Sequence, residues 1–328
     1  MKQMVKNIGL SMAMGIFLPY LFLSFGVTLL SRYRIQEDTE EEIAAAVQTE
    51  SFPETAVSLP VYFHTDDGTV TEMDMDTYLL GVVLAEMPVS FEMEALKAQS
   101  CVARTYAGKA YISGGKHGDG SVCGNPSCCQ GYTPVDTYLA SGGTEEGVNR
   151  VRTAVAATSG QVLTYDGQLI EATYFSCSGG RTEDAVAVWG TDFPYLQAVD
   201  SPGEEQAAYY TDTQVFSASE FARLLQLTLT GDPDGWIGSV TYTEGGGIHT
   251  MEIGGECFTG IQLRSLLGLR STAFSVEVQD SEIRIITRGY GHRVGMSQYG
   301  ADAMAESGSS WKDILAHYYR GTELITLS

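Results

Sequence analysis

Apolar and polar positions change in short blocks along most of this chain, and their spacing predicts a mixture of helices and strands. The predicted helices span residues 77–86, 93–112, 145–158, 217–227, 260–267, 301–307 and 311–319. The predicted strands span residues 61–64, 69–72, 160–165, 169–176, 275–278 and 283–287, with a strand-rich segment at 239–256. Because helices and strands do not alternate regularly, the pattern indicates an α+β fold of mixed helices and antiparallel hairpins.

Capping and turn residues set the boundaries of these elements. Asp76 is expected to cap the helix that ends at Glu86, and Gly114 is expected to end the helix at 93–112. The sequences around Gly68 and Gly167 are typical of tight hairpin turns. A segment of some thirty residues after Gly114 has no clear periodicity, and such a loop is uncommon unless something holds it in place.

The longest apolar run lies near the start of the chain, at residues 8–30, and contains no charged residue. It is long enough to span a bilayer, so we predict a transmembrane helix there, and the basic residues on its two sides leave its orientation open. A cleaved signal peptide is the alternative, although the run is long for one and no Ala-x-Ala site closes it. Residues 31–60 are expected to form an acidic juxtamembrane linker, and residues 61–328 a folded body with room for two lobes.

Charge narrows the range of partners. The chain has 41 acidic against 19 basic residues, which gives a formal net charge of −22. Such a balance argues against nucleic-acid binding and predicts repulsion from an anionic membrane surface. A neutral or zwitterionic polymer remains compatible with this charge.

Glu86 is the residue whose setting points most directly to chemistry. The residues before it, among them Leu79 and Val82, are apolar, and Pro88 disfavours helix at Met87. A carboxylate that emerges from the end of a buried helix is partly desolvated, which raises its pKa and suits it to donate a proton near neutral pH. A helix-terminal surface glutamate without a chemical role is the alternative.

Four soft or borderline metal ligands lie within the loop after Gly114, and they are His117, Cys123, Cys128 and Cys129. Their number and softness suit a closed structural zinc site. Disulfides or free thiols are the alternatives, because an extracytoplasmic site is exposed to oxidising conditions. There is no HExxH motif, which argues against a zinc hydrolase.

Two further segments combine glycine with short polar side chains. The first, at 173–182, follows a predicted strand, and the second, at 289–301, surrounds His292. Such loops bring backbone N–H groups and small side chains against a ligand, although a Ser/Gly turn and a structural histidine are the simpler explanations. Four aromatic residues suggest either a sugar-stacking platform or core packing, and they are Trp189, Tyr195, Tyr290 and Tyr299.

Together, the segments 84–88, 97–107 and 289–301 resemble the stage II sporulation protein D family. The family consists of membrane-anchored lytic transglycosylases that cut peptidoglycan during engulfment of the forespore. The resemblance implies that Glu86, in a Glu-Met-Pro motif, is the catalytic acid/base and that Arg104 is its active-site partner. It also implies zinc held by His117, Cys123 and Cys129, with Cys128 standing where a histidine sits in clostridial relatives. The substrate-binding residues that it implies are Ser176, Ser178, Thr182, His292, Ser297 and Gln298.

The expected reaction is cleavage of the MurNAc–GlcNAc bond of glycan strands stripped of stem peptides. One carboxylate suffices for it, because the muramic acid C6 hydroxyl replaces water and a 1,6-anhydro product forms. The resemblance further implies that residues 1–7 are cytoplasmic and that the body at 61–328 is extracytoplasmic, on the outer face of the mother-cell membrane and facing the forespore. It also implies a complex with the sporulation amidase protein P and with membrane protein M.

A second interpretation is a non-enzymatic peptidoglycan-binding or amidase-enhancing module, because the wider family includes amidase enhancers. Such a module would keep the glycine-rich motifs without needing Glu86. A helix-surface arginine in a salt bridge is likewise the alternative for Arg104.

Overall fold

The computed structural model describes residues 59–65, 67–279 and 282–327, so the transmembrane helix predicted at 8–30 lies outside the described residues. Within these ranges no helix has the length and apolar character needed to cross a membrane. The helices in this part of the chain are α1 (Met75–Glu86), α2 (Met93–Ser113), α3 (Val135–Ala140), α4 (Glu145–Ala157), α5 (Ala185–Trp189), α6 (Ala218–Leu225), α7 (Gly260–Leu267), α8 (Gln298–Glu306) and α9 (Trp311–Tyr318).

The strands are short and are spread over several small sheets. They are β1 (Val61–His64), β2 (Val70–Met73), β3 (Val122–Cys123), β4 (Gln161–Tyr165), β5 (Gln168–Leu169), β6 (Tyr174–Phe175), β7 (Thr211–Ser217), β8 (Ile237–Tyr242), β9 (Ile248–Ile253), β10 (Glu256–Thr259), β11 (Phe274–Gln279), β12 (Glu282–Arg288), β13 (Met296–Ser297) and β14 (Glu323–Thr326). Helices and strands are therefore mixed without regular alternation, as the α+β prediction requires.

Some predicted boundaries were wrong. Helix α1 begins at Met75, and its cap is Asp74, whose side chain accepts a hydrogen bond from the Thr77 N–H at 2.9 Å; Asp76 lies inside the first turn. The strand predicted at 169–176 does not exist as one element, because β5 ends at Leu169 and only β6 follows. The sequence analysis also missed α5, β7 and β14.

Two parallel strand pairs bring distant motifs together. Strand β1 pairs antiparallel with β2 and parallel with β3, so the cysteine-containing loop is attached to the first hairpin. Strand β13 pairs parallel with β6, with Met296 opposite Tyr174 and Ser297 opposite Phe175. The two glycine-rich segments of the sequence are therefore neighbours in space.

The apolar core consists of two clusters. The first cluster is formed largely by α1, α2, α4, α8 and α9, and α2 is buried along most of its length. The second cluster is formed by α6 and α7 against β7, β9, β11 and β12. Each cluster has its own helices and strands. Buried polar residues make contacts between the two clusters.

A buried ion pair joins the first cluster to a turn of the second. The Arg293 guanidinium donates to Glu183 at 3.1 Å and to the carbonyls of Ser178 and Gly245, at 2.7 and 2.8 Å. Glu183 accepts in turn from the N–H of Gly247, at 3.0 Å. Both charged side chains are almost fully buried, and Gly245 and Gly247 lie in the turn between β8 and β9. This pair therefore fastens that turn to the segment at 178–183.

Replacing Glu183 by alanine is expected to lower the free energy of unfolding by about 3–5 kcal/mol, because Arg293 would stay buried without a charged partner. Denaturant unfolding followed by circular dichroism measures this change. Glu244→Ala is the matched control, since Glu244 pairs with Arg181 at the exposed surface and such pairs contribute about 0–1 kcal/mol. Equally small changes in both variants would contradict the structural role of Glu183.

Candidate functional site

Glu86 is the last residue of α1, and the helix stops there for a local reason. Met87 is extended, with φ −130° and ψ 136°, as expected for a residue before proline. The residues that precede Glu86 on the helix, Val82 and Val83, are fully buried. The side chain of Glu86 is half-buried, and its carboxylate accepts a hydrogen bond from the N–H of Gly131.

Burial controls the acidity of this carboxylate. Removal from water raises the pKa of Glu86, whereas hydrogen bonds from the Gly131 N–H and the Tyr174 hydroxyl act in the opposite direction. The net shift is upward, and none of the groups responsible for it is a second carboxylate. Glu86 therefore keeps its proton to higher pH than an exposed glutamate, which is the property that a general acid needs.

A tyrosine and a glutamine complete the surroundings of Glu86. The Tyr174 hydroxyl donates to Oε1 of Gln130 at 3.0 Å, and it is also near enough to the Glu86 carboxylate to lower its pKa. Gln130 is buried and donates through Nε2 to the Tyr78 hydroxyl at 3.0 Å. Sequence reasoning missed Tyr174 and Gln130 as site residues. The signal for Tyr174 was present, since it stands two residues before Ser176 in the same motif.

The four predicted metal ligands come together. The ligand atoms of His117, Cys123, Cys128 and Cys129 all lie within 4.8 Å of one another. Nε2 of His117 is 3.8 Å from Sγ of Cys128 and 3.5 Å from Sγ of Cys129, and the two sulfurs are 3.9 Å apart. Around a tetrahedral zinc ion, usual bond lengths give about 3.5 Å for nitrogen to sulfur and about 3.8 Å between sulfurs. The donor set therefore fits such an ion in both chemistry and spacing.

The cysteine cluster is directly connected to Glu86 along the chain. Cys129 is followed by Gln130, which donates to the Tyr78 hydroxyl, and by Gly131, whose N–H donates to the Glu86 carboxylate. The orientation of the Gly131 N–H toward the carboxylate thus depends on where Cys129 is held. On the other side of the cluster, the ring of His64 lies 4.4 Å from that of His117.

Arg104 occupies a different place from the one predicted. Its side chain is 2 % exposed and donates to the carbonyls of Thr158 and Val155, at 2.6 and 3.2 Å, at the end of α4. One guanidinium nitrogen is also 3.5 Å from Asp76, in the first turn of α1. Glu86 lies ten positions after Asp76 on α1. At 1.5 Å of rise per residue, their backbones are about 15 Å apart along the helix axis. We therefore assign Arg104 to the scaffold, where it satisfies helix-terminal carbonyls, and not to the side of Glu86.

Two of the three polar residues predicted from the segment at 173–182 have structural partners. The hydroxyl of Ser178 is fully buried and donates to Glu204 at 2.8 Å. Thr182 is also fully buried, and its hydroxyl accepts from the N–H of Val199 at 2.8 Å. Ser176 is half-buried, and it is the member of the set that a ligand can reach.

The segment at 289–301 is likewise mostly internal. Ser297 is fully buried and caps α8 through the N–H of Gly300, while Gln298 lies 3.4 Å from Gln99 in the interior. His292 accepts through Nδ1 from the N–H of Val294 at 3.1 Å. Burial, followed by the charge of a nearby arginine, lowers the pKa of His292 to about 4. It is therefore neutral at physiological pH.

The four predicted aromatic residues separate into two groups. Tyr195 is buried and belongs to the core, in agreement with the core-packing alternative. Trp189 is 41 % exposed, and its ring lies 5.4 Å from that of His292. Tyr290 and Tyr299 both contact the ring of Tyr209, a residue that sequence reasoning missed. Exposed aromatic side chains therefore occur on the segments that border the Glu86 site.

Comparison with known proteins identifies the family. A family model described as Stage II sporulation protein matches residues 64–165. The chain is 39 % identical over 276 residues to stage II sporulation protein D of Bacillus amyloliquefaciens, covering 83 % of this chain and 79 % of that protein. It is 38 % identical over 285 residues to stage II sporulation protein D of Bacillus subtilis (strain 168), covering 85 % of this chain and 82 % of that protein. An amidase enhancer of the same strain is 30 % identical over 305 residues, which cover 75 % of this chain and 40 % of that protein. The chain therefore belongs to the stage II sporulation protein D family.

Proposed function

We propose that the protein is a lytic transglycosylase that cleaves the MurNAc–GlcNAc bond of glycan strands freed of stem peptides. The observation that carries the proposal is the Glu86 carboxylate, which is half-buried, has a raised pKa and is contacted by the Gly131 N–H and the Tyr174 hydroxyl. Hydrolases that use two carboxylates need a second one across the scissile bond, whereas the proposed reaction needs Glu86 alone.

In the proposed reaction, protonated Glu86 gives its proton to the glycosidic oxygen as the bond from that oxygen to the anomeric carbon breaks. The resulting Glu86 carboxylate then takes the proton of the muramic acid C6 hydroxyl. The C6 oxygen bonds to the anomeric carbon and forms a 1,6-anhydro ring. The hydrogen bonds from Gly131 and Tyr174 stabilise the carboxylate between these two proton transfers.

We further propose that His117, Cys123, Cys128 and Cys129 hold a structural zinc ion. When bound, the ion supplies four bonds that close the loop, and all four ligands come from the protein, which is typical of structural sites. Its effect on the reaction is indirect, because it fixes the position from which Gln130 and Gly131 reach Tyr78 and Glu86.

The cellular setting belongs to the same proposal. We place the body outside the mother-cell membrane, anchored by residues 8–30 and facing the forespore. The partners are the sporulation amidase protein P, which removes stem peptides first, and membrane protein M. The family's role in sporulation is consistent with this setting.

The similarity to an amidase enhancer supports a second candidate function, a module that binds peptidoglycan and activates an amidase without cutting glycan itself. In that case Glu86 would have no chemical role. The two candidates therefore differ in what happens when Glu86 loses its ability to donate a proton.

Glu86→Gln is expected to lower the rate of glycan cleavage by at least about a hundredfold, because the amide cannot serve as general acid. Mass spectrometry of digests of peptide-free glycan strands would count 1,6-anhydro-muramic acid ends. Glu92→Gln is the matched control, since Glu92 is exposed and lies six residues away. Equal background levels in wild type and Glu86→Gln, with glycan binding retained, would favour the binding-module function.

Tyr174→Phe is expected to move the alkaline limb of the pH–rate profile to higher pH. The Tyr174 hydroxyl lowers the pKa of Glu86, so its removal raises that pKa and extends the pH range in which Glu86 is protonated. Initial rates on soluble glycan fragments between pH 5 and 9 measure the limb, with exposed Tyr111→Phe as the control. A limb that stays in place or moves to lower pH would contradict the contact.

Cys129→Ser is expected to reduce bound zinc from about one ion per chain and to lower the melting temperature, because it removes one of four ligands. Elemental analysis and thermal unfolding provide these readouts independently of activity. Cys257→Ser is the control, since Cys257 is exposed on β10 and lies outside the cluster. Full zinc content in Cys129→Ser, or none in wild type purified without chelators, would disprove the site.

A further inference from the structure

Two exposed tyrosines and one arginine form a surface that the proposed function does not use. Tyr209 and Tyr290 are 41 % and 43 % exposed, and their ring centroids are 5.4 Å apart in an edge-to-face arrangement. Arg270 lies beside them, and we call these three residues the tyrosine–arginine rim. Large aromatic rings that stay exposed next to cations are typical of binding surfaces, since burial would otherwise be favourable.

Arg270 is positioned by both rings. Its guanidinium carbon lies 5.3 Å from the centroid of Tyr209 and 5.8 Å from that of Tyr290. One of its nitrogens is 3.3 Å from Asp212, and this is the sole ion pair of Arg270 among the described residues. Because a guanidinium carries five N–H donors in a fixed plane, the pair with Asp212 leaves donors for an anion.

The rim borders the Glu86 site through short backbone connections. Tyr290 exchanges two backbone hydrogen bonds with Cys177, at 2.7 and 3.2 Å, and Cys177 lies three residues after Tyr174. Tyr290 is therefore attached to the segment that carries Tyr174, a neighbour of Glu86.

The rim combines a cation with exposed aromatic rings in a chain whose formal net charge is −22. Asp212 offsets part of the charge of Arg270 but pairs with only one of its nitrogens. Tyrosine rings pack against the apolar face of a sugar, and a guanidinium matches a carboxylate in shape and charge. The combination suits one class of ligand, a sugar that bears a carboxylate.

We propose that the tyrosine–arginine rim is a subsite for a carboxylate-bearing sugar of the glycan, with Tyr290 and Tyr209 against the sugar and Arg270 on its carboxylate. The proposal rests on the proposed action on glycan. Hydrolysis of the amide bond that links a stem peptide to muramic acid leaves a free carboxylate on the sugar. The rim therefore selects strands from which peptides have been removed, because an amide carries no charge for Arg270 to recognise.

The test compares two tetrasaccharides of alternating GlcNAc and MurNAc that differ in one group, with lactyl carboxylates either free or converted to methylamides. Calorimetry measures their binding to the full-length, detergent-solubilised Glu86→Gln chain, which is used to prevent cleavage. The free acid is expected to bind about tenfold more tightly, and added salt should reduce the difference. Equal affinities would overturn the proposal.

Arg270→Gln should abolish the preference for the free acid while leaving the affinity for the methylamide unchanged. Arg284→Gln is the matched control, because Arg284 is exposed in the middle of β12 and its substitution removes the same charge outside the rim. Tyr290→Ala should weaken the binding of both tetrasaccharides. A preference that survives Arg270→Gln would disprove the assignment, and if this variant does not fold, the comparison of the two ligands on the parent chain decides.

Failure of the subsite and failure of the proposed function are separable. Binding preference is measured on a chain that does not cleave, whereas 1,6-anhydro ends are counted with the wild-type chain. A carboxylate preference without anhydro products would keep the subsite and remove the transglycosylase. Anhydro products without a carboxylate preference would keep the transglycosylase and remove the subsite.

Discussion

The structure depends on the pairing of polar groups that are buried between its elements. A carboxylate or guanidinium taken out of water loses several kcal/mol of hydration unless each of its atoms finds a partner. Glu204 is an example, since one oxygen accepts from the Ser201 hydroxyl at 2.7 Å and the other from Ser178 and the N–H of Gly179. These bonds fix the loop after β6, and Arg293 fixes the same loop through the carbonyl of Ser178.

The contrast between two glutamates shows how this constraint produces a chemical site. Glu204 is fully buried and both of its oxygens are paired, so it acts as part of the scaffold. Glu86 is half-buried and has fewer donors around it, so burial dominates and its pKa rises. A partly desolvated carboxylate with one open side is free to exchange a proton with a ligand. The loop after β6 is held by the paired carboxylate of Glu204, whereas Glu86 is left with a raised pKa.

The sequence predicted the elements with strong local signals, and the errors have physical causes. The helix at 260–267 was predicted at its observed bounds because glycine and apolar spacing both mark it. Strand β7 was missed because its sequence is polar, and its conformation is imposed by pairing with β12. For the site, the positions of Glu86 and the cysteine cluster were accessible from residue type and spacing. The partners of Ser178, Thr182 and Arg104 could not be predicted, because residue type does not reveal whether a polar side chain is buried in the fold or faces a ligand.

The position of the cysteine cluster beside Glu86 follows from the composition of the loop between α2 and α3. This loop is rich in glycine and has few buried apolar side chains, so ordering it costs conformational entropy that packing does not offset. The hydrogen bond from Gly131 to Glu86 nevertheless requires the loop to be held within a few tenths of an ångström. Four ligands drawn to one ion, as in the proposed zinc site, would provide that restraint without a hydrophobic core. A structural metal is therefore most useful where this loop meets the acid, and the proposed zinc site lies at that point.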